Sequence, residues 1–99
     1  MNIQIQSIHF TADSKLLGFV NEKVGKLTHF YDGIISSEIF LRLDNSENST
    51  NKVAEIKLNV PGNDLYVKRQ CKTFEEAIDT GISALSKQVK RYKEKQKGL

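Results

Sequence analysis

From Ala54 to Glu76 the chain reads AEIKLNVPGNDLYVKRQCKTFEE, and this stretch decides the fold. Ala54, Ile56, Leu58 and Val60 alternate with Glu55, Lys57 and Asn59. That period of two predicts a strand with one apolar face. Pro61-Gly62-Asn63-Asp64 predicts a hairpin turn, because proline presets φ and glycine accepts φ > 0. On the returning strand Leu65, Val67 and Cys71 share one face, and Tyr66, Lys68, Gln70 and Lys72 the other. Thr73-Phe-Glu-Glu76 is a capping box, in which a side-chain oxygen satisfies an orphan N–H of the first helical turn. A strand, a tight turn, a strand and a capped helix therefore follow one another without a linker.

Downstream, Phe74, Ala77, Ile78, Ile82, Leu85, Val89 and Tyr92 keep helical spacing and should face a sheet. Upstream, DNSENSTN at 44–51 contains no apolar side chain and predicts an exposed loop. Before it, Ile35, Ile39, Leu41 and Leu43 are expected on one side of another strand, with Phe40 and Arg42 on the other. Asp32-Gly33 marks a turn. From Ser14 to His29, Leu16, Leu17, Phe19, Val20, Val24 and Leu27 form the wide apolar stripe of an amphipathic helix, N-capped by Thr11 or Asp13. Gly18 and Gly25 each weaken that helix by about 1 kcal/mol relative to Ala, so packing must hold it. At the start, Ile3 and Ile5 alternate with Gln4 and Gln6 until the pattern slips at Ser7-Ile8, where the strand should bend or end.

The order is β-α-β-β-β-α, an α+β chain. The first strand, first helix and second strand make a crossover, which favours parallel pairing, and the next two pairings are antiparallel. Two helices covering one face of a four-stranded sheet bury both stripes and leave the other face open. The 99 residues predict a single domain spanning 1–99, with room for one core and little for a deep cleft.

Charge is unevenly placed. The segment from Leu85 to Leu99 holds six of the fifteen Lys+Arg and one of the twelve Asp+Glu, a net +5. The whole chain carries +3, so the remaining 84 residues sum to −2. A near-neutral body with a strongly basic helix is the electrostatic footprint of a polyanion binder, most often RNA or DNA. With Leu85 pointing into the core, Lys90, Lys93 and Lys97 fall on one flank of the helix. Lys87 and Arg91 fall on the far side and Lys95 on the other flank. Such a run also occurs on solvated helix ends, where the macrodipole favours cations. Lys23 and Lys26 on the first helix extend the patch if the helices lie side by side; taken alone, they fit snorkelling as well as binding. Arg42, Lys57, Lys68 and Lys72 on the open sheet face are weaker candidates, because surface strands carry lysine for solubility. Phe40 and Tyr66 there can stack on bases or simply pack across strands.

Other chemistries find little support. Cys71 is the one cysteine, and with His9 and His29 it shows no metal-ligand spacing, so no metal and no cofactor is expected. A small, partly buried thiol is the plain reading of Cys71. Glu75 and Glu76 are explained by the helix start. No constellation of paired carboxylates or an activated nucleophile stands out, so no enzyme and no small-molecule substrate is expected. No apolar run reaches membrane length and the N-terminus has no secretory pattern, which predicts a cytoplasmic protein with no membrane partner.

Several stretches together carry a family resemblance. They are Phe19-Val-x-x-Lys23-x-x-Lys26-Leu27 followed by Tyr31-Asp32, then Val60-Pro-Gly62, then Ala77-Ile78-Asp79 running into Lys87-Gln-Val-Lys-Arg-Tyr-Lys-Glu-Lys95. In this order and spacing the chain resembles the short form of the ribosome hibernation-promoting factor family, which includes the ribosome-associated inhibitor proteins. The resemblance covers nearly the whole chain. It implies a fold like double-stranded-RNA-binding domains with an extra first strand. It also implies binding to the small ribosomal subunit, in the channel for mRNA and tRNA, through ribosomal RNA backbone. Carried over by position, the RNA contacts would be Lys23, Lys26, Lys87, Lys90, Arg91 and Lys93, with Arg42 at a basic strand position; Lys95 and Lys97 complete the basic surface. The chain departs from the family in its basic run Val67–Lys72 and in Gly25, and its likeness to the short form predicts no dimerisation domain of the long form. Two rivals remain open: a general RNA- or DNA-binding module, and a regulatory module whose basic helix meets an acidic protein.

Overall fold

The computed structural model describes residues 2–27, 31–45 and 49–97, with the side chains of 96 and 97 outside the description. The elements are β1 (Asn2–Ile8), α1 (Ser14–Leu27), β2 (Ser36–Leu43), β3 (Lys52–Val60), β4 (Asn63–Cys71) and α2 (Phe74–Lys97). They form the α+β order expected from the sequence, in one sheet ordered β1-β2-β3-β4. β1 pairs parallel with β2, and β2–β3 and β3–β4 pair antiparallel. The expected extension of α1 to His29 falls outside the described residues.

Local chemistry sets the boundaries. β1 ends where its alternation slips, and His9 follows with φ of 64°, a left-handed conformation in which His is enriched. Asp13 is the N-cap of α1: its Oδ1 accepts from Leu16 N at 2.8 Å and its carbonyl from Leu17 N at 3.1 Å. Thr73 does the same for α2, its Oγ1 accepting from Glu76 N at 3.0 Å and its carbonyl from Ala77 N at 3.1 Å. The hairpin is tighter than expected. Val60 pairs with Asn63, so the turn is Pro61-Gly62 alone and Asn63 and Asp64 belong to β4. Gly62 has φ of 78°, which fits a type II turn with proline at its first corner. Once in the strand, Asp64 pairs with Lys57 at 3.6 Å.

The register builds rows across the helix-covered face. One runs Ile5, Ile39, Ile56, Val67; the next runs Ile3, Ser37, Leu58, Leu65. Leu16, Val20, Val24 and Leu27 of α1 and Ala77, Ile78, Leu85 and Val89 of α2 close over these rows. Gly81 lets α2 approach the sheet, because a Cβ there would stand 3.2 Å from Ile56 Cδ1 and 3.4 Å from Val67 Cγ1. Ser37 lies in the core with its hydroxyl unpartnered among the described residues.

Two expectations about β2 are corrected. Ile34 is the buried residue ahead of the strand, while Ile35 is 57% exposed; its N–H is already held by the Asn59 carbonyl at 2.8 Å. Leu43 keeps the parity of Leu41 but is 46% exposed, because it sits at the strand end beside the loop. Val53 is buried on the other face, in the row Ile8, Arg42, Val53, Gln70. Gly18 in α1 has open space around a built Cβ. Gly18→Ala should therefore raise unfolding free energy by about 1 kcal/mol through helix propensity alone. A chemical-denaturation midpoint equal to or below the parent's would contradict this.

Candidate nucleic-acid interface

α1 and α2 run in the same direction across the sheet. Phe10, just ahead of α1, stacks on Phe74 at the start of α2, with ring centroids 4.9 Å apart. Further along, Lys23 Nζ lies 3.1 Å from Asp79 Oδ1, and beyond α1 Tyr31 meets Tyr92 edge-on at 5.5 Å. Burial, with Tyr92 beside it, raises the Tyr31 phenol above the ordinary tyrosine range. Tyr92 also donates its hydroxyl to the Pro61 carbonyl, which seats the last turns of α2 at the hairpin end of the sheet. The side-by-side arrangement needed for a two-helix surface is therefore present.

Within it the cations are not equivalent. Lys23 is half-buried, clamped between Asp79 and the Phe19 ring, whose centroid lies 5.4 Å from Nζ. Lys26 is exposed and pairs with Glu22 one turn earlier at 3.6 Å. Both α1 lysines thus begin with carboxylate partners, which a phosphate would have to displace or share. The first turn of α2 adds Glu75 and Glu76, so the N-terminal end of the two-helix face is acidic. Its C-terminal end is the reverse: Lys87, Lys90, Arg91 and Lys95 are exposed and Lys93 is half-buried. Lys97 lies in α2, with its side chain outside the description.

The flanks expected from helical angles acquire neighbours. Lys90 follows Asp79 by three turns, within about 20° of it around the helix, so it lies on the α1 side. Arg91 and Lys95 instead line a groove against β4, opposite Asn63 and Leu65. Exposed surface pairs such as Lys26–Glu22 contribute little to stability, so these charges are free to serve binding at small structural cost.

Arg42 is set apart. It lies on the open sheet face, remote from both helices in the topology, and pairs with Glu55 on the neighbouring strand. Glu55 also accepts from the Tyr66 hydroxyl. This Arg42–Glu55–Tyr66 network neutralises the centre of the open face and gives Tyr66 a cross-strand role. Lys57 is likewise paired, with Asp64. Sequence reasoning passed over Arg69, which has the parity of Leu65 and Val67 and lays its stem over Gly81; that same parity was the available signal. Cys71 is half-buried, with Sγ 3.9 Å from Thr80 Oγ1. Among the described residues no group of His, Cys, Asp and Glu is placed to hold a metal ion, and no helix is long and apolar enough to cross a membrane.

Comparison with known proteins agrees with these features. Residues 3–97 match the family model described as Sigma 54 modulation protein / S30EA ribosomal protein. A ribosome hibernation promoting factor from Pseudomonas putida is 24% identical over 99 residues, covering 100% of this chain and 93% of that protein. The crystal structure of the N-terminal domain of Thermus thermophilus Protein Y superposes with a TM-score of 0.79 at 26% identity, covering 93% of this chain and 99% of that one. A ribosomal subunit interface protein from Coxiella burnetii shares the fold, with a TM-score of 0.83 at 18% identity over 94% of this chain and 98% of that one. The resemblance noted in the sequence thus holds over the whole fold, and the chain belongs to the Sigma 54 modulation protein / S30EA ribosomal protein family, that of the ribosome hibernation factors.

Proposed function

We propose that this protein is a single-domain hibernation factor, spanning 1–99, that binds the small ribosomal subunit in the channel for mRNA and tRNA. It stops translation by occupying that space. The observation that carries the reading is the basic C-terminal half of α2, with Lys87, Lys90, Arg91 and Lys95 exposed together in a chain of this family. The names of the relatives, a ribosome hibernation promoting factor and a ribosomal subunit interface protein, support a ribosomal partner.

The mechanism needs no bond chemistry and no cofactor. Lys and Arg neutralise phosphates of ribosomal RNA and release counterions, which supplies affinity without reading sequence. Lys23, Lys26 and Lys93 add to the contact on the α1 side. Arg42 contributes only if its pairing with Glu55 opens, so its place in the interface is secondary. The folded body, 48 Å along its longest axis and held rigid by the core, then excludes mRNA and tRNA. Such a protein acts in the cytoplasm, where ribosomes are.

Steric occupancy makes a kinetic prediction. In a reconstituted initiation reaction the protein should inhibit, and raising mRNA and initiator tRNA together should relieve the inhibition. Inhibition that persists at every mRNA and tRNA concentration would rule out a shared site.

A further inference from the structure

The groove between α2 and β4 has a chemistry that the two-helix surface lacks. It is an open surface groove of about 610 Å³. Arg91 and Lys95, one helical turn apart, form its cationic wall. The Leu65 side chain and the Tyr92 ring give it apolar surface, and the amides of Asn63 and Gln88 line it as well. Two of these groups are fixed in place. Gln88 donates its Nε2 to the Tyr66 carbonyl at 3.2 Å, which leaves its side-chain oxygen as an acceptor, and Tyr92 is tied to Pro61. Glu94 also borders the groove and disfavours a second phosphate beside the first.

We propose that this groove binds one unpaired nucleotide of RNA, its phosphate on Arg91 and Lys95 and its base against Tyr92 and Leu65. Of the forms of RNA, an unpaired nucleotide offers a charged phosphate and a flat apolar face to the same recess, whereas a duplex hides its bases. The site is also separate from the α1-side contact. Arg91 and Lys95 centre about 120° from Lys90 around the helix, so they present a different flank of α2. The proposal rests on the RNA-binding reading above and adds a second strand to it: α2 is gripped by backbone on its α1 flank and by a splayed nucleotide on its β4 flank.

The test compares two double variants with the same loss of charge, Arg91→Ala/Lys95→Ala and Lys26→Ala/Lys90→Ala. All four residues are exposed, and circular dichroism checks that both variants fold. Binding of a short fluorescent oligouridine and of a duplex RNA is read by anisotropy. Thiouridine-substituted oligomer is crosslinked to the parent protein and mapped by mass spectrometry. The groove predicts that Arg91→Ala/Lys95→Ala weakens oligouridine binding by at least about tenfold and duplex binding far less, with Lys26→Ala/Lys90→Ala showing the opposite bias. Crosslinks should fall on Leu65 and Tyr92. Equal losses of oligouridine binding in the two variants, or crosslinks confined to α1 and the outer face of α2, overturn the proposal. If the groove pattern holds while ribosomes fail to bind, the ribosomal reading falls and the nucleotide site stands.

Discussion

Replacing Lys90 and Arg91 together by alanine should weaken association with ribosomes by tens of fold at roughly 0.1 M salt, without unfolding the protein. Removing one phosphate-binding cation takes about 0.7–0.9 from the slope of log affinity against log salt, so removing two should flatten it by about 1.4–1.8. Both side chains are exposed on the basic half of α2 and their truncation opens no cavity. The parent, with about five phosphates neutralised, should itself weaken on the order of a hundredfold between about 50 and 200 mM salt. Sedimentation binding across a salt series reads both quantities. A double variant with the parent's affinity and slope would mean that neither flank of the basic half of α2 meets RNA. A reduced affinity with an unchanged slope would point instead to a protein partner, the regulatory reading left open by the sequence.

The largest effect on stability should come from Ile56→Ala, with a loss of about 2–5 kcal/mol of unfolding free energy. Ile56 is fully buried on β3, an interior strand paired with β2 and β4, and α2 rests on it at Gly81. Truncation removes transfer energy and leaves a cavity that neither strand can close without breaking its ladder. Native domains hold only about 5–15 kcal/mol in total, so the variant should unfold at a much lower denaturant concentration. Urea unfolding followed by circular dichroism measures it. A loss under about 1 kcal/mol would mean that the core closes over the gap, against the tight fit of α2 on β3.

Ile56 also shows why the fold was legible in the sequence. The alternation about it, the Pro61-Gly62 turn and the Thr73 cap each constrain the chain locally, and together they leave one compact arrangement for the β-α-β-β-β-α order. Errors fell where local pattern and tertiary position part company. Ile34 and Ile35 are chemically identical neighbours, and only the Ile35–Asn59 backbone bond settles which one turns inward. Val53, left unassigned by the alternation, shares the parity of Glu55 and Lys57, yet it is buried, paired between Arg42 and Gln70.

The candidate site was legible as composition and less so as geometry. A cluster of six cations in fifteen residues is visible to anyone who counts. Their partners are not. Arg42 meets Glu55, thirteen residues away, because the antiparallel register sets it near that strand position, and period-two patterning carries no register. Lys23 meets Asp79 because the helices run in the same direction, which no helical wheel of either one contains. The separation of Arg91 and Lys95 from Lys90 follows from helical angles, but the groove that gives it meaning needs β4 beside α2.

The central claim, occupation of the small-subunit channel, is tested most directly by sedimenting the purified protein with isolated small and large ribosomal subunits at low and moderate salt. The account predicts co-migration with the small subunit alone, weakening as salt rises and abolished when mRNA and initiator tRNA are added. Protein left at the top of the gradient, or bound to the large subunit, or retained on the small subunit after mRNA and tRNA are loaded, would contradict it.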